Sequence, residues 1–133
     1  MKKSGITLIE LLIVFALIAI LVRFMVPIFN SSRYAAQEAK ALHDFDAIKA
    51  AALRVYFDIE EWPSSGAAGD GLMNTNGITN INDWRGPYLD EWKKDPWGNL
   101  YVILQTGSTQ WISSRGPDLN LSTSDDLILL IHP

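Results

Sequence analysis

Cysteine is absent from the 133-residue chain, so no disulfide closes a loop and no thiol chemistry is available. Also missing are a nucleophile motif, a glycine-rich phosphate loop, and a histidine set beside a serine and an acid in a recognisable pattern. The two histidines do not repair this. His43 falls on an amphipathic stretch and reads as a solvated or packed residue, and His132 is next to last. The expectation is a protein that is not an enzyme. Basic charge is scarce where a nucleic-acid surface would need it. Residues 1–57 carry seven Lys/Arg against four Asp/Glu, whereas residues 58–133 carry four against eleven, a balance of −7. So acidic a C-terminal part argues against a nucleic-acid partner, which requires a basic patch.

What is present is a long hydrophobic run. From Gly5 to Phe29 the chain is nearly pure hydrocarbon, interrupted by Glu10, Arg23 and Pro27 and preceded by Lys2 and Lys3. At 1.5 Å per residue, a helix of this length spans a bilayer core of roughly 30 Å. Every face is apolar, so periodicity does not separate a buried helix from a membrane span. Length and the polar-free stretch from Leu11 to Val22 favour the membrane. The remainder allows one modest domain. An ordinary secretory signal would have an apolar core of about 7–15 residues and a small-residue cleavage site; this run is longer and no such site precedes Arg23. The lysines place the N-terminus in the cytoplasm and the C-terminal domain outside. Arg23, near the outer end, is placed to snorkel. An acid in a membrane helix costs about 2.5–3.5 kcal/mol even on the lenient insertion scale, so Glu10 needs a partner or access to headgroups.

Lys-Lys-Ser-Gly followed by Ile6-Thr7-Leu8-Ile9-Glu10-Leu11-Leu12 resembles the class III signal of type IV pilins and type II secretion pseudopilins. The resemblance implies a leader of residues 1–5, cut after Gly5 by a prepilin peptidase that methylates the new amine of Ile6. It also makes Glu10 and Pro27 assembly residues. Glu10 would pair with the Ile6 amine of a neighbouring subunit, a lone partnered charge that sets register. Ile6 departs from the usual phenylalanine or methionine.

Past Pro27, which removes a backbone donor and is expected to kink or loosen the rod, an amphipathic helix is predicted over residues 30–57. Leu42, Phe45, Ile48, Ala52 and Val55 recur at spacings of three and four. Trp62-Pro63 closes it. Residues 58–133 form the head, with a variable loop at 64–82 rich in Gly, Ser, Asn and Asp, holding one helical turn near Gly71–Asn74. Asp95-Pro96-Trp97-Gly98 fits a type I turn. Strands are predicted at Leu100–Gln105, Thr109–Ser113 and Asp126–Ile131, the first two a hairpin around Gly107-Ser108. The five tryptophans read as core and sheet-face packing. Gly86-Pro87-Tyr88-Leu89 and Asp95-Pro96-Trp97-Gly98-Asn99-Leu100-Tyr101 resemble the signature of the type II secretion major pseudopilin family.

Between the last two strands, residues 114–126 place oxygen donors at Asp118, Asn120 and Ser122 and end on Asp125-Asp126. An EF-hand is excluded because Thr123 and Leu129 stand where it needs glycine and glutamate. The resemblance implies calcium here, held by Asp118, Asp125 and Asp126 with backbone carbonyls near Arg115 and Asn120. Pro117, Leu119 and Leu121 make the loop stiffer than the family's usual one. The plainer reading is a solvated acidic turn. Magnesium prefers retained waters, and zinc lacks its thiols.

These readings converge on an α+β pilin fold: a long N-terminal α-helix, its hydrophobic half protruding, packed on a small three-stranded antiparallel sheet. The resemblance implies a structural subunit polymerised into a helical filament that acts as a piston or plug for protein export. Its implied partners are further copies, minor pseudopilins, an inner-membrane assembly platform and the prepilin peptidase. The chain would be single-pass in the inner membrane with its head in the periplasm. A type IV or competence pilin is the first alternative, weakened by the missing disulfide and the acidic head. A membrane-tethered ligand-binding domain is the second.

Overall fold

A computed structural model describes residues 5–132; residues 1–4 of the expected leader, Lys2 and Lys3 among them, and Pro133 lie outside the described residues. One α-helix, α1, runs Leu8–Ile59, followed by a short 3-10 turn at Ile81–Asp83 and strands β1 (Val102–Thr106), β2 (Thr109–Ser114) and β3 (Leu127–His132). The chain divides into two compact units, Met1–Ala36 and Gln37–Pro133, with α1 running through the division.

In the first unit every described residue is exposed. The helix is continuous through Pro27, so the expected loosening is not seen as a break. Proline removes a single N–H and leaves the remaining ladder to carry the helix. Ser32 donates its hydroxyl to the Ile28 carbonyl at 3.0 Å, the back-bond that serine makes inside helices.

The second unit is organised by one stripe of α1. Ala41, Phe45, Ile48, Ala51, Ala52, Val55 and Ile59 are buried, at spacings that keep them on one face. Leu42, expected at the core, is 44% exposed instead. It is one position off the stripe, and its apolar character overrode the phase in the sequence reading. The helix ends two residues later than predicted, at Ile59. Glu60 takes the left-handed conformation (φ 58°) and donates its N–H to the Tyr56 carbonyl at 2.8 Å, a helix stop that usually uses glycine.

The sheet packs its inner face on that stripe, in order β1-β2-β3, antiparallel throughout. β2 begins at Thr109 as predicted, and the other strand limits fall one or two residues from the predicted ones. Tyr101, fully buried, joins the two layers: its ring meets Phe45 edge-on at 5.5 Å and its hydroxyl donates to Asp44 Oδ2 at 2.8 Å. Burial, then the Asp44 carboxylate, pushes the phenol's pKa far above its ordinary value, so it stays a donor. The 64–82 loop is less free than its composition implied. Leu72 and Ile78 enter the core, and Glu61 accepts from the N–H groups of Thr79 and Asn80 at 2.8 and 3.1 Å.

Asp95 is the pin of the turn before the hairpin. The Gly98 N–H reaches the Asp95 carbonyl at 3.0 Å, as a type I turn requires. The carboxylate, 4% exposed, accepts from Trp97 N (3.1 Å) and Asn99 N (2.8 Å) at Oδ1, and from Ser114 Oγ (2.7 Å) at Oδ2. A buried charge survives only when its lone pairs are filled, and here three donors fill them. Asp95→Ala strands three buried donors, and is expected to lower unfolding free energy by about 3 kcal/mol in a urea titration. A loss below about 1 kcal/mol would show that the turn holds without it.

Candidate functional site: the helix start and the acidic loop

Two places gather the residues singled out in the sequence. At the first, Thr7 and Glu10 close a reciprocal cap on the start of α1. Thr7 donates its backbone N–H (2.8 Å) and its hydroxyl (2.7 Å) to Glu10 Oε2, and the Glu10 N–H returns to Thr7 Oγ1 at 3.3 Å. This is a capping box, with Thr7 at the N-cap and Glu10 three residues on. Thr7 was missed in the sequence reading, although Thr-x-x-Glu before an apolar run is the signature of that box. Gly5 and Ile6 precede the helix and are exposed, Ile6 by 78%. A Cβ built on Gly5 would meet no described residue within 4 Å.

The second place is the loop between β2 and β3. Three left-handed residues, Gly116 (φ 62°), Leu119 (φ 65°) and Ser122 (φ 70°), fold it tightly. Left-handed backbone costs a non-glycine residue about 1–2 kcal/mol, so Leu119 and Ser122 need compensation. The aspartates supply it. Asp118 Oδ1 accepts from Asn120 N at 2.8 Å, and Asp126 Oδ2 from Ser122 N at 2.6 Å. Asp125 Oδ2 accepts from Asp118 N at 3.1 Å, which ties the two ends of the loop together. Asn120 Nδ2 donates to the Asp118 carbonyl at 3.1 Å.

Thr123 is the residue that sequence reading did not foresee in this loop. Its hydroxyl lies 2.8 Å from Asp125 Oδ1, 3.3 Å from Asp126 Oδ1 and 3.3 Å from the Asn120 carbonyl. One hydroxyl has one proton, so these acceptors share a single donor. The Thr123 hydroxyl is the main reason that the Asp125 carboxyl sits below its ordinary pKa, with Asp118 N–H adding to it and partial burial opposing it. A threonine or serine two residues before an acid is the local signal for such a bond.

The donors are all oxygen, the set that a hard cation takes. The carboxylates of Asp125 and Asp126 are nonetheless occupied by the loop's own N–H and hydroxyl groups. Among the described residues no group of three acidic, histidine or cysteine side chains is gathered into a ligand set. The chemistry of the donors suits calcium; their present hydrogen bonds would have to give way to it. Arg115, expected to offer its carbonyl, keeps its Nε buried without a hydrogen-bond partner. Neither histidine joins the loop: His43 lines a small cavity with Asp44, Trp92 and Tyr101, and His132 stacks on Trp62 with ring centroids 4.1 Å apart.

With this geometry in hand, comparisons with known proteins decide the family. Type II secretion system core protein G of Aeromonas hydrophila is 30% identical over 130 residues, covering 95% of this chain and 91% of that protein. The chain belongs to the type II secretion core protein G family. The Pseudomonas aeruginosa member is 34% identical over 110 residues, covering 80% and 77% of the two chains. The Escherichia coli K12 member is 28% identical over 130 residues, covering 95% and 90%. The prokaryotic N-terminal methylation motif matches residues 1–22, and a model described as PilW, C-terminal, matches residues 32–113. The crystal structure of the major pseudopilin from the type 2 secretion system of enterohaemorrhagic Escherichia coli shares the fold. Its TM-score is 0.62 at 24% identity, covering 74% of this chain and 86% of that one. The pilin-type architecture expected from the sequence, a long helix on a three-stranded antiparallel sheet, is the one found.

Gly116 is the tightest point of the acidic loop, since a Cβ added there meets the Asp125 carbonyl oxygen. Gly116→Ala therefore suffers both left-handed strain and a backbone clash. It is expected to destabilise the folded head by more than about 1 kcal/mol in a thermal melt, whereas Ser124→Ala leaves the melt unchanged.

Proposed function

We propose that this major pseudopilin is a structural subunit, not an enzyme, cut after Gly5 by a prepilin peptidase and polymerised into a periplasmic fibre that drives protein export. The observation that carries the reading is the exposed helix of the first unit. Residues 5–36 are all exposed, and the large apolar side chains from Ile6 to Phe29 stand about half or more open. Contiguous apolar surface of this extent demands a partner. A bilayer serves before assembly, and the helices of further copies serve within a fibre. In this reading the chain is single-pass in the inner membrane with its head in the periplasm. Minor pseudopilins and an inner-membrane platform complete its partners.

Glu10 then has two uses in succession. In the isolated chain it caps its own helix through Thr7. Cleavage after Gly5 frees the Ile6 amine, and in a fibre the carboxylate of one subunit takes the amine of the next. An acid in hydrocarbon is costly alone and tolerated when paired, so the exchange favours the assembled state.

We further propose that Asp118, Asp125 and Asp126 hold calcium, with Ser122 and backbone carbonyls near Arg115 and Asn120 as further ligands. The support is an all-oxygen donor set in a loop whose two ends are already joined by Asp125. Calcium would stabilise the loop, and with it the start of β3, by binding the folded form.

Two experiments test these readings. Glu10→Ala should insert into the membrane as the parent chain does and yield few or no fibres by electron microscopy of overproducing cells. Abundant fibres of parental appearance from that variant would end the pairing proposal. For the metal, the full chain in detergent should melt higher in calcium than in chelator, and Asp125→Ala should erase that difference. Equal melting of the parent chain in both conditions would end the calcium proposal.

A further inference from the structure

We propose that the outer edge of β3 is a docking site for an extended basic segment of a partner protein, which adds to the sheet as a fourth strand. The two edges of the sheet are finished differently. At β1, Gly66 and Ile103 exchange two backbone hydrogen bonds of 2.8 Å, which closes that side. β3 is the other edge, and among the described residues no strand or bridge lies along its outer side. Its one fixture is Lys49, whose Nζ donates to the Leu130 carbonyl at 2.8 Å. A side chain reaches that oxygen only if it points away from β2. In an antiparallel ladder the backbone groups of Ile128, two residues back, point the same way.

Edges are normally blunted by charge, by proline or by a bulge within the strand. β3 reads Leu-Ile-Leu-Leu-Ile-His and has neither charge nor proline of its own; the one charge on it is the Lys49 ammonium at Leu130, which an added strand would have to displace. Its register irregularity falls opposite Gln110/Trp111, at the C-terminal end. Ile128 and Leu130 are 58% and 46% exposed. The register sets Leu130 beside Trp111 and Leu104, and Ile128 beside Ser113 and Val102, so the outer face next to the open edge is apolar except at Ser113, which is itself buried. An added strand would gain ladder hydrogen bonds from the edge and alternate side-chain contacts from that face.

Charge selects the occupant. The second unit, residues 37–133, carries seven Lys/Arg against fourteen Asp/Glu, an excess that one bound divalent cation would not cancel. A second copy would bring the same acid excess to the contact. A strand that carries a lysine or arginine meets a complementary field. The docking surface belongs to the head and is independent of whether the N-terminal helices form fibres.

The test uses the full chain in detergent micelles and a fluorescein-labelled synthetic heptapeptide, Lys-Val-Thr-Val-Thr-Val-Thr. Saturable binding by fluorescence anisotropy is expected, with amide exchange at Ile128 and Leu130 slowed about tenfold or more. N-methylation of alternate peptide amides should abolish binding, and replacing the lysine by glutamate should weaken it. Unchanged exchange at both positions, or equal binding of the N-methylated peptide, would overturn strand addition. Tighter binding of the glutamate peptide would overturn the choice of occupant. So would slowed exchange at Ile128 and Leu130 on concentrating the protein alone, since a second copy would then occupy the edge.

Discussion

A helix whose apolar residues face every direction cannot satisfy itself in water, and this constraint governs the chain. Over residues 8–29 no face of α1 is polar enough for solvent, and none is covered by the rest of the protein. From Ala41 onward the same helix narrows its apolar content to one stripe, and the head closes over that stripe. One continuous element thus passes from a surface that requires other molecules to a surface that its own chain buries. Three alanines among the seven buried helical residues keep the stripe shallow, which lets the hairpin and Tyr101 approach.

With so small a sheet, the head relies on polar pins at its irregular segments. Asp95 gathers the turn and the end of β2, Glu61 holds the variable loop at Thr79 and Asn80, and Tyr88 donates to Asp58 at 2.7 Å. Each is an acid that accepts at least one hydrogen bond from a segment remote in sequence, and so ties two parts of the head together. The chain has no disulfide to fall back on. The loop before β3 follows the same logic on a shorter range, with aspartates offsetting the strain of Leu119 and Ser122.

The architecture was legible because its signals are periodic or punctuated. A run too long for a soluble core, a stripe at spacings of three and four, a Trp-Pro stop and an Asp-Pro-Trp-Gly turn each have one local interpretation. What escaped was phase and partnership. Leu42 is apolar and helical, yet a rotation of one position places it outside. Leu72 and Ile78 lie in a polar stretch, so their burial depends on tertiary contacts that composition does not encode. Thr7 and Thr123 were overlooked because a hydroxyl's role is set by which acid it meets. Both meetings were local, and both had a short-range pattern. The calcium ligands rested on resemblance, and the loop's own hydrogen bonds add a competitor for the same oxygens.

That competition also clarifies Glu10. The two bonds that the Glu10 carboxylate accepts from Thr7 last only while it stays with its own helix, whereas the Thr7 hydroxyl's bond to the Glu10 N–H does not depend on it. Under the proposed pairing, an amine from a neighbour in a low-dielectric bundle would be a stronger partner, because charge-assisted bonds gain as water is excluded. The isolated helix would then be stabilised by a bond that a better one displaces. Until then the carboxylate is held in one place by Thr7, which a carboxylate without a local partner would not be. The position of Thr7 is what makes this possible. It sits close enough to hold Glu10 in place, and its own hydroxyl is left free to cap the helix backbone when the carboxylate is drawn away.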